Sequence, residues 1–317
     1  MIPGSGARSW LAALAAAAFT LLACDRARAQ DLDLTSPGTR DLTLKVGKDD
    51  RTFRLHVPPA GSTTPRPLVL ALHGAASNGK QTEALTQLSP LADKSGFVVA
   101  YPDGENRIWR YWNVAEGRKD FQFISDLMDA LVKAGTADPR RIYLTGISNG
   151  AYFSNALAVE YGDRVAAIAP VAGTILKPVA LMAKPKRAMP VCYWHGTDDR
   201  VVGYDGTDFL SKHAVSLGAE DCVKWWAEKN GCPKEPVVEK MENKAPEDGT
   251  TVERWTYSGA APVLFYKIAG GGHTWPGMPA AGENLLGKIC RDVNASEVIW
   301  EFFSKHSLPD KGAERKK

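Results

Sequence analysis

Gly146-Ile147-Ser148-Asn149-Gly150 sets a serine between two glycines, each two residues away. A serine hydroxyl is too weakly acidic to attack a carbonyl unaided. It needs a base to take its proton and a carboxylate to orient that base. The chain supplies both downstream. His195-Gly196-Thr197-Asp198-Asp199-Arg200-Val201-Val202 offers two carboxylates just beyond an apolar run. Gly270-Gly271-Gly272-His273-Thr274-Trp275-Pro276-Gly277 then places a histidine on a glycine-rich segment. Such a set would carry out nucleophilic acyl transfer. Of the other histidines, His56, His213 and His306 read as surface residues. His73 and His195 each precede a glycine at a strand end and read as turn braces. No His-Glu-x-x-His, Cys-x-x-Cys or other paired ligand spacing occurs, so neither a metal nor a cofactor is expected.

This chemistry demands a particular frame. A strand over Arg141–Gly146 must deliver the serine into a sharp turn, and a helix over Ala151–Tyr161 must leave it. The flanking glycines relieve crowding in that turn, and the helix N-terminus favours developing negative charge. His73-Gly74-Ala75-Ala76 follows the continuous apolar run Pro67–Leu72 and is the candidate oxyanion loop. The N–H of Ala75, favoured over that of Ala76, would there join that of Asn149. Asp41–Val46 and Arg51–Val57 alternate around Gly47-Lys48-Asp49-Asp50, predicting an N-terminal antiparallel hairpin. Phe97–Tyr101, Val165–Val171, Pro190–His195, Val252–Tyr257 and Val263–Ile268 read as further strands. Helices are predicted over Thr82–Lys94, interrupted at Ser89-Pro90, over Val223–Asn230 and over Asn294–Ser304. Another carries Phe121, Ile124, Leu127, Met128 and Leu131 behind an Asp120 cap. Lys240–Gly249 reads as an exposed loop. Strand and helix alternate almost throughout, which argues an α/β class: a mostly parallel central sheet with helices on both faces. The chain order of serine, acid and histidine is that of the α/β-hydrolase fold.

Composition sets outer limits. The 317 residues are 44% hydrophobic and 24% charged, which excludes collagen-like, disulfide-knot and wholly disordered classes. A net charge of +3 gives no ground for a nucleic-acid partner. Leu11–Ala23 is apolar, too short to span a bilayer, and is followed by Ala27-Arg28-Ala29. Residues 1–29 therefore read as a secretory signal, making the protein secreted or periplasmic. Leu21-Leu22-Ala23-Cys24 offers the alternative of a lipoprotein anchored through Cys24, although Leu22 stands where a small residue is usual. Residues 30–307 are expected to form a single catalytic domain and 308–317 a polar, disordered tail. Export permits disulfides among Cys192, Cys222, Cys232 and Cys290, with the pairing open.

The motifs together resemble the secreted polyhydroxybutyrate depolymerase and feruloyl esterase group of α/β-hydrolases, related to carbohydrate esterase family 1. The matching stretches are Leu-His-Gly (72–74), Tyr-Pro-Asp-Gly (101–104), Tyr-Trp-Asn (111–113) and the three motifs already quoted. The resemblance implies Ser148 as nucleophile, His273 as base and, four residues after His195, Asp199 as acid. It also implies departures. Relatives often carry Cys after His-Gly, where Ala75 stands here. They commonly pair the cysteine of Asn-Gly-Cys with one in Tyr-x-Gly-Cys; here that element reads Tyr-Ser-Gly-Ala, so Cys232 lacks the usual partner. Trp109, Tyr111, Trp112 and Trp275 lie beside the motifs and are expected to line a site for bulky acyl groups. The expected partner is a polymeric or aromatic ester. No nucleic acid and no stable membrane partner are expected unless Cys24 is lipidated, and oligomeric state is left open. Two other functions fit the same residues: an amidase or peptidase using the same triad, and a non-catalytic binding protein on a hydrolase scaffold.

Overall fold

The apolar runs pair into one sheet. The computed structural model describes residues 32–59, 65–111, 114–208, 212–278 and 286–310. The predicted signal and Cys24 fall outside those residues. Ten strands are arranged edge to edge as β1 (Gly38–Val46), β2 (Asp49–Val57), β4 (Val98–Pro102), β3 (Arg66–Leu72), β5 (Ala137–Ile147), β6 (Ala167–Val171), β7 (Val191–Gly196), β10 (Val263–Ala269), β9 (Thr251–Tyr257) and β8 (Val237–Lys240). The six from β4 to β10 are parallel. The predicted hairpin forms β1 and β2, with Val46 opposite Asp49, and β2 joins β4 antiparallel. β9 and β8 extend the other edge antiparallel. β4 and β5 lie on opposite sides of β3, so the connections diverge there. In open α/β sheets ligands bind at such a reversal, beyond the carboxyl ends of the strands.

Alternate strand residues divide the core. Val69, Ala71, Val99, Tyr143, Ala169 and Trp194 share one cluster with Ile299, Phe302 and Phe303 of α7 (Ala295–Ser304). The intervening residues, among them Leu70, Leu144, Ile168 and Phe265, are fully buried on the other face. That face is covered by α3 (Val114–Lys133), α4 (Asn149–Glu160) and α6 (Ala219–Lys229). α1 (Gly79–Thr86) and α2 (Leu88–Ser95) follow β3, and α5 (Lys177–Met182) follows β6.

Several expectations need correction. The helix break falls at Gln87, whose φ of 53° ends α1, and not at Ser89-Pro90. Pro90 sits in the first turn of α2, where its missing N–H would have had no intrahelical acceptor anyway. His56 is buried, not a surface residue: its ring meets Thr39 Oγ1 at 2.7 Å and Asp93 Oδ1 at 2.9 Å. The Lys240–Gly249 segment includes a 3-10 turn over Pro246–Asp248 that buries Asp248. Leu308, expected to open a disordered tail, is instead buried and exchanges hydrogen bonds with Arg140. Cys192, Cys222, Cys232 and Cys290, whose pairing was open, are free thiols. Cys232 faces the Tyr-Ser-Gly-Ala element, where a Cβ on Gly259 would come within 3.2 Å of its Sγ.

Asp120 is the largest departure. It is no cap but lies within α3, 1% exposed. Oδ1 accepts from Arg51 Nη2 at 2.7 Å, and Oδ2 accepts from the Arg110 N–H at 3.0 Å. Asp120→Ala would leave the buried Arg51 guanidinium its bond to the Asp103 carbonyl but take away its paired carboxylate, at a cost of about 3 kcal/mol. Denaturant unfolding should register that loss, and a change below 1 kcal/mol would show that water already solvates the pair.

Candidate active site

β5 ends at Ile147 and α4 begins at Asn149, leaving Ser148 alone in the turn. Its φ of 57° and ψ of −122° lie in a sparsely populated region that costs about 1–3 kcal/mol, strain typical of functional sites. The turn is tight because backbones approach closely. A Cβ on Gly150 would sit 2.3 Å from Leu72 O, so only glycine admits the end of β3 here. Ser148 is half-buried, and among the described residues its Oγ has no hydrogen-bond partner.

The oxyanion loop lies against this turn: a Cβ on Gly74 would stand 3.5 Å from Ser148 Cβ. The Ala76 N–H is committed to Arg107 O at 2.9 Å. The Ala75 N–H has no such bond, and the Asn149 N–H heads α4, where no intrahelical acceptor exists. His73 braces the loop as expected. Its Nδ1–H donates to Gly74 O and its Nε2 accepts from the Gly104 N–H, both possible in the neutral ring that burial favours by lowering its pKa.

Asn149 has a second connection that the motif did not reveal. Its Oδ1 accepts from the Trp109 N–H at 2.7 Å, and its Nδ2 donates to Trp109 O at 3.1 Å. Trp109 Nε1–H in turn donates to His73 O. Trp109 thus ties the oxyanion loop through its indole and the elbow through its backbone. Asn149→Ala retains its own N–H but frees that loop. We expect kcat to fall about tenfold and stability by about 1–2 kcal/mol; unchanged ester turnover would remove the side chain from the site's support.

Base and acid meet across two loops packed backbone to backbone. A Cβ on Gly196 would come 2.2 Å from Gly271 O, and the Asp198 N–H donates to that same oxygen. His273 Nδ1 lies 2.7 Å from Asp199 Oδ2. Asp199 Oδ1 accepts from the N–H groups of Val201 and Val202, each at 2.9 Å. The buried carboxylate is therefore satisfied on both oxygens, whereas Asp198 is exposed. The structure thus joins His273 to Asp199 and leaves Ser148 unengaged, as is common before substrate binds.

The aromatic expectations divide. Trp109 and Trp275 are core side chains rather than walls. Trp109 stacks on Phe153, and Trp275 Nε1–H donates to Ser296 Oγ. A fully buried indole offers no face to an acyl group. Tyr111 stays half-buried and lies parallel to Tyr152 of α4 at 5.2 Å, one turn beyond Ser148. Trp112 falls outside the described residues.

A family model described as Esterase PHB depolymerase matches residues 51–203, the span from β2 through the loop carrying Asp199. Feruloyl esterase B of Piromyces equi is 30% identical over 263 residues, 79% of this chain. The chain is similar to this esterase family. It spans 44% of the length of the Piromyces protein. Putative esterase NocK of Nocardia uniformis subsp. tsuyamanensis is 29% identical over 80% of the chain and 78% of its own. Poly(3-hydroxyalkanoate) depolymerase C of Paucimonas lemoignei is 28% identical over 78% of this chain and 65% of its own. The fold is shared with acetyl xylan esterase from Aspergillus awamori at a TM-score of 0.59 and 16% identity, covering 84% of this chain and 99% of that one.

Proposed function

We propose that the chain is an exported serine esterase, a single catalytic domain whose triad is Ser148, His273 and Asp199. The observation that carries this reading is the 2.7 Å contact between His273 Nδ1 and the buried Asp199 carboxylate, at the same sheet edge as a serine held in a strained elbow. The Asp199 contact fixes the proton on His273 Nδ1 and leaves Nε2 as the base. Ser148 Oγ attacks the ester carbonyl as its proton passes to His273 Nε2. The N–H groups of Ala75 and Asn149 receive the oxyanion, a contribution of about 3 kcal/mol per donor. His273 then protonates the departing alcohol, and a water repeats the sequence on the acyl-enzyme.

Relatives are named for feruloyl, acetylxylan and polyhydroxyalkanoate esters, which supports a polymeric or aromatic ester as substrate. The Tyr111–Tyr152 pair is the proposed acyl wall. The test couples labelling to turnover. A fluorophosphonate probe should modify Ser148 in the folded protein, located by peptide mapping. The same preparation should hydrolyse one or more of polyhydroxybutyrate film, methyl ferulate, acetylated xylan and p-nitrophenyl butyrate, with a matched anilide far slower. Labelling at another residue, or faster turnover of the anilide, would overturn the assignment.

A further inference from the structure

A second histidine touches the proposed acid. His195, the penultimate residue of β7, is 1% exposed. Its Nε2 lies 2.9 Å from Val202 O and 3.4 Å from Asp199 Oδ2, the oxygen that also meets His273. Its Nδ1 lies 2.8 Å from Tyr193 Oη. A carbonyl can only accept, so the proton resides on Nε2 and Tyr193 Oη–H donates to Nδ1. Burial lowers the pKa of this ring, opposed by Asp199, and the hydrogen bonds suit the neutral form. Val202 closes the circuit: its N–H donates to Asp199 Oδ1 while its carbonyl receives His195. The carboxylate, the turn that holds it and the imidazole behind it are one hydrogen-bonded unit.

We propose that His195 is a positioning residue for the triad: its Nε2–H holds the Asp199–Val202 turn so that Oδ2 faces His273, and Tyr193 fixes the ring in that pose. The proposal rests on the Ser148–His273–Asp199 reading. The other groups around the ring are consistent with an orienting role. Tyr204 meets it edge-on at 5.9 Å and is itself bonded to Glu220, which pairs with Lys267. That ion pair faces Tyr204 and leaves Asp199 as the carboxylate in contact with the imidazole. Without the Nε2 donor, Asp199 loses its second contact on Oδ2 and Val202 loses the brace on its carbonyl. An acid that swings by a fraction of an ångström holds the His273 imidazolium less well.

The test compares His195→Phe, which keeps the ring volume but no donor, with His195→Gln, whose amide can restore one near Nε2. Turnover is counted per active serine, titrated with a fluorophosphonate. His195→Phe should lower kcat about 10–100-fold with KM changed less than threefold. Weaker support of the imidazolium should also move the acid limb of kcat/KM to lower pH. His195→Gln should recover at least half of the loss on a logarithmic scale and return the limb. A merely structural role would lower the melting temperature while leaving both the turnover per titrated site and the limb unchanged, and that result would overturn the proposal. Should His195→Phe not fold, Tyr193→Phe removes only the hydroxyl. It should lower kcat at least threefold with the same limb shift, and an unchanged profile would equally overturn it. Ser148→Ala is the separate control: full activity there sinks the triad reading itself, whatever the His195 variants do.

Discussion

Ser148→Ala is expected to lower kcat/KM for a soluble p-nitrophenyl ester by at least about 10⁴-fold, with no measurable change in folding stability. The two halves of that expectation come from one local geometry. Catalytically, the hydroxyl is the atom that would form the acyl bond, and removing it leaves only the oxyanion amides and the binding surface. Those alone sustain a small residual rate over water. Structurally, alanine carries the same Cβ into the same φ of 57°, so the strain of the elbow is neither relieved nor increased. Ser148 Oγ makes no hydrogen bond to any described residue, so its loss strands no partner. Thermal or denaturant unfolding should therefore agree with the parent within about 0.5 kcal/mol. Retention of more than a tenth of the activity would remove Ser148 as nucleophile. A large fall in stability would instead mean that the hydroxyl is engaged in a way the resting geometry does not show.

How far the site could be read in advance follows from the kind of information each part carries. Ser148, Asp199 and His273 sit at strand ends, where glycines and polar residues interrupt apolar runs, and such punctuation is local. The same holds for the hairpin, which alternation on either side of Gly47 marks, although the turn is two residues shorter than that pattern suggests and Val46 pairs with Asp49. Contacts between segments distant along the chain left no such mark. Asp120 stands in front of an amphipathic run and looked like a cap; only the fold brings Arg51 to it across 69 positions. Trp109 and Trp275 stand beside the motifs along the chain yet are buried, since nearness to a motif does not say which way an indole turns. β8 was missed because its four residues, Val237–Lys240, are all exposed and show no buried periodicity. His195 was legible as a turn brace, but its contact with Asp199 depends on how the chain returns from Asp199 to Val202.

Asp199→Asn is expected to lower kcat by about 10³–10⁴-fold, through the tautomer of His273 rather than through loss of packing. The amide can enter the site in two ways, and the surroundings select one. With its oxygen at the Oδ1 position it still accepts from the N–H groups of Val201 and Val202. The opposite rotation would point the amide N–H bonds at both of those donors, so it is disfavoured. In the selected pose the NH₂ group faces His273 Nδ1, which must then become an acceptor and give up its proton. The proton moves to Nε2, the atom that should remove the Ser148 proton, and the base becomes a donor. The same NH₂ also meets the Nε2–H of His195 at the position Oδ2 now holds, 3.4 Å away, which sets two donors against each other. Stability should fall only modestly, by about 1–2 kcal/mol, because the side-chain volume is kept and no charge is left buried without a partner. Asp198→Asn serves as the matched comparison, since among the described residues its exposed carboxylate bonds only to Thr197 Oγ1, and kcat there should stay within about twofold. Equal losses in the two variants would show that the acid had been assigned to the wrong neighbour. An Asp199→Asn enzyme with more than a tenth of the parent kcat would show that His273 keeps its working tautomer without a carboxylate.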